Sequence, residues 1–201
     1  MAKKKKAVSQ KKVAKKKAVK KATKKAVKKA VKKKVAKKTT VKKPISNFKQ
    51  HVTSLKAGDA APFFVGHDQH GNQISLNDYT GKTLVLYFYP KDDTSGCTVQ
   101  SCSLRDEYHY LVQENFAVVG VSADNVKSHK KFADKFSLPF PLLADVDKET
   151  INGYDVWGKK MLYGRIYNGI VRTTFIIRDG IIIRVIIDID KEAHGKQVVT
   201  S

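Results

Sequence analysis

The chain has 201 residues, of which 40 are Lys or Arg and 18 are Asp or Glu, giving a formal net charge of +22. Residues 1–43 contain 22 Lys and neither Arg nor an acidic residue, so residues 44–201 are neutral, with 18 basic and 18 acidic residues. This excludes a uniformly basic globular protein. No apolar run approaches the ~20 residues that cross a bilayer, and the charged N-terminus lacks the apolar stretch of a secretory signal.

The first segment, residues 1–43, is low-complexity Lys, Ala and Val. Ala18, Ala22, Ala26 and Ala30 recur every four residues, as do Val27, Val31 and Val35, so each set would line one face of a helix. Repulsion between Lys side chains and the small area that Ala and Val can bury predict a disordered tail in the free protein. Phosphates would neutralise the Lys face. The expected contacts are Lys15, Lys16, Lys17, Lys20, Lys21, Lys24, Lys25, Lys28, Lys29, Lys32, Lys33 and Lys34. Without interleaved aromatics, Arg or amides these position a nucleic acid but read no bases. The composition is similar to the lysine-rich tails of linker histones and bacterial histone-like proteins. A solubilising tail, a nuclear-targeting signal, RNA or anionic lipid are the alternatives. Pro44 disfavours helix at Lys43 and closes the tail; residues 44–54 read as a linker and residues 55–201 as the folded domain.

In the domain, VGHDQHGNQISL predicts a hairpin turning at His70-Gly71-Asn72. Residues 83–89 (TLVLYFY) are a continuous apolar strand, as expected of a central strand buried on both faces. Residues 97–112 can form a helix, 116–122 (FAVVGVS) a second buried strand, 125–136 a helix ended by Leu138-Pro139, and 142–144 a short strand. Residues 173–178 and 181–187 are separated by Asp179-Gly180, a strong hairpin signal. The order is βαβα followed by an antiparallel hairpin. It predicts an α/β, thioredoxin-like fold in which helices flank a mixed central sheet. The closing DIDKEAHGKQVVTS looks too short and polar for the usual closing helix. Trp157, Tyr163 and Tyr167 are expected in core packing, with lining a site around the cysteines as the alternative. Thr80-Gly81-Lys82-Thr83 resembles a phosphate loop, but Leu76 stands where the pattern needs Gly, so it reads as a turn. Asp145, Asp147, Asp188 and Asp190 receive no acid–base role.

The two cysteines, Cys97 and Cys102, follow the loop 90–96, at the end of a strand where ligands of open α/β sheets usually sit. In the first helical turn, unpaired N–H groups and the helix dipole would stabilise a Cys97 thiolate. Cys102 would lie ~7.5 Å further along an intact helix, whereas a disulfide needs Cα atoms within ~7 Å. The pair could close only if the helix unwinds, which disfavours a structural staple and leaves a redox pair possible. Two close cysteines in a domain of this size suggest a reducing compartment. Zinc is disfavoured by the C-x-x-x-x-C spacing and the scattered His, with His67 and His70 the nearest to a cluster. No C-x-x-C dithiol motif is present.

Pro90, Thr94 and Cys97 form P-x-x-x-T-x-x-C, which resembles the active-site motif of peroxiredoxins. YFYPKDDTSGCTVQSCSLRD, LKAGDAAP, GVSADNVKSHKKFADKFSLPFPLLAD and GIVRTTFIIRDG resemble the bacterioferritin comigratory protein/PrxQ subfamily over residues 55–187. The resemblance implies a thiol peroxidase that needs no cofactor. Cys97 would be the peroxidatic thiolate and Cys102 the resolving thiol of an intramolecular disulfide. Thr94 would hydrogen-bond thiolate and peroxide, Pro90 would shield the sulfenate, and Arg172 would supply the stabilising cation. Backbone N–H groups around Gly96 and Cys97 would orient the peroxide. The implied partners are a hydroperoxide, thioredoxin or a similar dithiol and, through the tail, DNA or RNA. The protein is expected to be a monomer or weak dimer without a membrane span. Its expected place is a bacterial cytoplasm, at the nucleoid, or a nucleus. Ser95 replaces a Pro common in the subfamily and Phe63 a common Asp. The competing reading is a DNA-compacting protein whose peroxiredoxin-like domain senses oxidation or has lost turnover.

Overall fold

A computed structural model describes residues 48–162 and 164–200. They belong to the compact unit Ile45–Ser201. The tail lysines, the Ala and Val stripes, the Pro44 boundary and Tyr163 lie outside the described residues.

Strands β1 (Val65–His67) and β2 (Gln73–Ser75) form the expected hairpin, and a 3-10 turn (Leu76–Tyr79) leads to β3 (Thr83–Phe88). Thr80-Gly81 is a turn with Gly81 at φ 77°, not a phosphate cradle. Then come α1 (Ser95–Asp106), α2 (Tyr108–Gln113), β4 (Phe116–Ser122), α3 (Val126–Phe136) and β5 (Leu142–Ala144). A short α4 (Glu149–Gly153) precedes a separate ribbon of β6 (Trp157–Leu162) and β7 (Arg165–Ile170). The chain closes with β8 (Thr173–Arg178), β9 (Ile181–Ile186) and α5 (His194–Val199).

The seven-stranded sheet has the order β2-β1-β5-β4-β3-β8-β9. β3, β4 and β5 run parallel and the outer pairs are antiparallel. All six residues of β3 are buried. Their alternation divides the core: Val85, Tyr87 and then Tyr89 join the cluster holding Cys97, Leu104, Leu111 and Phe132, while Leu84, Leu86 and Phe88 join Val119, Ile151, Tyr154 and Phe175 on the other face. A strand covered on both faces cannot alternate polar with apolar, which is why its sequence is continuous hydrophobe. Asp179 (φ 49°) and Gly180 (φ 75°) both take the left-handed conformation of a two-residue hairpin turn.

Three expectations need correction, and one element was not expected. The helix foreseen over 97–112 starts earlier, at Ser95, and breaks at Glu107 (φ −94°, ψ 1°) into α1 and α2. The C-terminal segment does form a short helix. Its polarity is offset by close approach: a Cβ on Gly195 would sit 2.5 Å from the Ser103 carbonyl oxygen, so only Gly lets α5 dock on α1. The β6–β7 ribbon was not foreseen, because WGKKML and RIYNGI carry no apolar alternation and only Ile170 among them is buried. Trp157 and Tyr167 lie on that ribbon with 36% and 42% of their surface exposed, not in the core. Each ring is instead approached by an ammonium, Lys148 at 5.4 Å from Trp157 and Lys160 at 5.9 Å from Tyr167. Asp145 caps α4, accepting from the Ile151 N–H at 2.7 Å. No described helix is long and apolar enough to cross a membrane.

Candidate active site

β3 is the scaffold of the site. Its C-terminal end leads through half-buried Pro90 into a loop that turns sharply at Asp93 (φ 52°) and enters α1 at Thr94, the N-cap. The loop is held from below. Buried Asp92 accepts hydrogen bonds from Tyr89 Oη (2.7 Å), Ser128 Oγ (2.7 Å) and His129 Nδ1 (2.9 Å), and its own N–H donates to Asp124 Oδ2 (2.8 Å). Burial pushes the Asp92 carboxyl up, but the His129 hydrogen bond and charge, with Ser128 and Tyr89, more than offset this and hold it below the usual carboxylate range. The other ring nitrogen of His129 lies 3.2 Å from the Leu143 carbonyl, so α3 and β5 both anchor the loop.

Thr94 uses its side chain unusually for an N-cap. Its hydroxyl makes no cap bond to the backbone; Oγ1 lies 2.9 Å from Cys97 Sγ as donor and 3.1 Å from the Lys91 carbonyl. The Thr94 carbonyl accepts from Cys97 N–H (3.0 Å) and Thr98 N–H (2.9 Å). Those of Ser95 and Gly96 have no intrahelical acceptor. Cys97 is fully buried in the first turn. Arg172, between β7 and β8, donates from Nη2 to Cys97 Sγ at 3.1 Å and from Nη1 to Gln100 Oε1. Two donors therefore converge on a sulfur removed from water, an arrangement that solvates an anionic acceptor. Gly96 makes room for the guanidinium, since a Cβ there would lie 3.1 Å from Arg172 Nη2.

The expected residues thus separate into two sets. Thr94, Gly96, Cys97 and Arg172 are together, with Pro90 at the strand end of the same loop. Cys102 is not at the site: it is half-buried on an intact α1, and both thiols are free. Lys15 and the other tail lysines lie outside the described residues. Sequence reading passed over Gln100, Asp92, His129, Thr174, Lys160 and His194. Only Gln100 carried a signal, a polar residue at i+3 on the face of Cys97. Lys160 donates to the Ile170 carbonyl at 2.7 Å. Burial, then nearby Arg172, pull its ammonium down, while Cys97 opposes them. His194 is pushed down to about 4 by burial and then by Arg172. Among the described residues no group of His, Cys, Asp or Glu could hold a metal ion.

Residues 57–186 match the model of the AhpC/TSA family. The chain is 43% identical to peroxiredoxin Bcp of Escherichia coli over 141 residues, 70% of this chain and 90% of that protein. It superposes on Xylella fastidiosa PrxQ with a TM-score of 0.68 and 32% identity, covering 74% of this chain and 95% of that one. For Xanthomonas campestris peroxiredoxin Q the TM-score is 0.66 at 32% identity, over 73% and 94%. By that family match and those identities over most of both chains, this chain belongs to the AhpC/TSA family and is a peroxiredoxin of its Bcp/PrxQ branch.

Proposed function

We propose that the protein reduces hydrogen peroxide and organic hydroperoxides at Cys97, resolves the product with Cys102, and uses its Lys tail to stay on nucleic acid. The observation that carries the first part is the convergence of Thr94 Oγ1 and Arg172 Nη2 on buried Cys97 Sγ, at 2.9 and 3.1 Å. The Cys97 thiolate attacks one peroxide oxygen; the O–O bond breaks, an S–OH group forms, and the second oxygen leaves as alcohol or water after taking a proton. Arg172 stabilises the charge moving from sulfur to the departing oxygen, and Thr94 holds the peroxide in line. Backbone N–H at Gly96 orients the substrate, and Pro90 keeps bulk water off the sulfenic acid.

Cys102 then attacks the Cys97 sulfur, an S–S bond forms and water leaves, before further oxidation of the sulfenic acid. Residues 95–102 must unwind for this, since five helical residues span ~7.5 Å. Thioredoxin or a similar dithiol returns both thiols. Thioredoxin-coupled peroxide consumption by wild type, Cys97→Ser and Cys102→Ser is the test. Turnover in wild type and none in Cys97→Ser is expected; no Cys97-dependent turnover would refute the reading.

The tail reading rests on charge: all the excess positive charge lies in residues 1–43. If ~6–10 lysines engage phosphates, affinity for DNA or RNA falls by about 10³–10⁵ between 50 and 200 mM salt. On this reading peroxide would be removed beside nucleic acid, at the nucleoid of a bacterial cytoplasm. Gel shifts of the full chain and of residues 44–201 at several salt concentrations test it. Equal binding by both would end the proposal.

A further inference from the structure

The hydrogen bonds at Cys97 do not stop at Arg172. Its Nη1 donates to Gln100 Oε1; Gln100 Nε2 lies 3.3 Å from His194 Nδ1; His194 Nε2 lies 3.0 Å from Thr174 Oγ1 on β8. Gln100, Thr174 and His194 are all fully buried, so water cannot substitute for a missing partner.

The polarity of this chain is determined from one end. A guanidinium can only donate, so the Gln100 oxygen must face Arg172 and its NH2 must face His194. His194 Nδ1 must then be an acceptor, which puts the ring proton on Nε2, where it is donated to Thr174. A doubly protonated ring would set Nδ1–H against the Gln100 N–H. The low affinity of this ring for a second proton, caused first by burial and then by Arg172, agrees with that geometry.

We propose that His194 is a positioning residue for the peroxidatic centre: as a neutral Nε2–H ring it holds Gln100, and through Gln100 the Arg172 guanidinium, in place against Cys97. The proposal rests on the peroxidase reading above. His194 opens α5, and Gly195 N–H donates to Ser103 Oγ on α1 at 3.1 Å. The C-terminal helix is therefore part of the site's framework although it lies almost 100 residues from Cys97 in sequence. Without the Nδ1 acceptor the Gln100 amide is free to rotate, and Arg172 loses the partner that holds its fork.

The test is the second-order rate of hydrogen peroxide reacting with the reduced full-length protein. His194→Phe preserves ring volume and removes the acceptor. His194→Asn restores an acceptor, because Oδ1 stands the same number of bonds from Cα as Nδ1. A loss of about tenfold is expected for His194→Phe, the equivalent of one positioning hydrogen bond, with His194→Asn within about threefold of wild type. His194→Phe reacting as fast as wild type, or both variants slowed alike, would overturn the proposal. If His194→Phe does not fold, Thr174→Val removes only the far anchor and is expected to slow the reaction by about twofold to fivefold; a wild-type rate there overturns it equally. Nitrogen-15 spectra of reduced wild type at pH 6 need no variant. They should show a neutral His194 ring with its proton on Nε2, and a proton on Nδ1 would contradict the assignment. Failure of the peroxidase reading looks different, since wild type itself would then lack Cys97-dependent peroxide reduction.

Discussion

Asp92→Asn tests the support beneath the loop that leads from β3 to Thr94 and Cys97. The carboxylate accepts from Tyr89, Ser128 and His129 within 2.7–2.9 Å, and the side chains of the Asp92–His129 pair are 5% and 0% exposed. Removing one partner of such a buried pair destabilises by about 3–5 kcal/mol, since the other is left uncompensated. Asn keeps the volume and one acceptor oxygen, so we expect the lower end, about 3 kcal/mol. For a domain of this size that lowers Tm by about 6–12 °C. The pH dependence has a definite sign. The folded Asp92 carboxyl titrates below its unfolded value of about 3.9, despite burial, because of His129, Ser128 and Tyr89. Its contribution is thus complete above about pH 4 and is lost as pH falls through the folded value. Asn has no such loss, so the stability gap between wild type and variant should be widest at neutral pH and shrink as pH falls below about 4. Denaturant unfolding of both proteins between pH 7 and pH 3 measures it. A gap below about 1 kcal/mol at pH 7, or one that stays constant with pH, would refute the clamp.

Arg172→Lys should reduce the rate of peroxide attack by about 10²–10³, because one ammonium cannot reproduce a fork that meets both Cys97 Sγ and Gln100 Oε1; a rate within threefold in stopped-flow oxidation would contradict this. Cys102→Ser should still consume one equivalent of peroxide and then stall as sulfenic acid, visible as a mass gain of about one oxygen; continued thioredoxin-dependent turnover would remove its resolving role. Gly195→Ala should destabilise by about 1–3 kcal/mol in thermal unfolding, because the new Cβ would stand 2.5 Å from a backbone oxygen of α1.

The central part of this protein was legible because its burial is periodic and its turns are chemically marked. Six buried residues in β3 can hardly be read otherwise, and Asp179-Gly180 supplies the two left-handed conformations its hairpin requires. The triad of Thr94, Cys97 and Arg172 was legible only as a motif: Arg172 is 75 residues from Cys97, and nothing local shows that it points at sulfur. Of the polar network only Gln100 was legible, as a polar residue at i+3 from Cys97. Asp92, His129 and His194 are ordinary polar residues in sequence, and their burial depends on contacts between distant elements. The same holds for α5, whose apolar contribution is little more than Val198 and whose docking depends on a glycine. Trp157 and Tyr167 were misplaced because aromatic side chains suggest core unless a two-stranded ribbon leaves them uncovered.

The same burial pattern bears on how α1 opens. Of its twelve residues, Cys97, Gln100, Ser101 and Leu104 are buried, and only Leu104 is a large hydrophobe. Unwinding residues 95–102 surrenders hydrogen bonds, among them Tyr87 Oη with Ser101 Oγ at 3.0 Å and Gln100 with His194. Each contributes only about 0.5–1.5 kcal/mol net, since solvent replaces it when the helix opens. Leu104 would lose about 1.5–3 kcal/mol of burial at once, so opening should stop before it. On the proposed resolution by Cys102, the helix is held by exchangeable polar contacts over the part that would move and by an apolar anchor over the part that would stay. In native-state hydrogen exchange of the reduced protein, amides of residues 99–106, whose helical acceptors are the carbonyls of 95–102, should therefore open at lower free energy than Leu111, whose N–H is held by the Glu107 carbonyl at 3.0 Å, and than β3. Equal protection of residues 99–106 and of Leu111 would mean that α1 and α2 open as one unit, and the apolar anchor at Leu104 would have no part in limiting the motion.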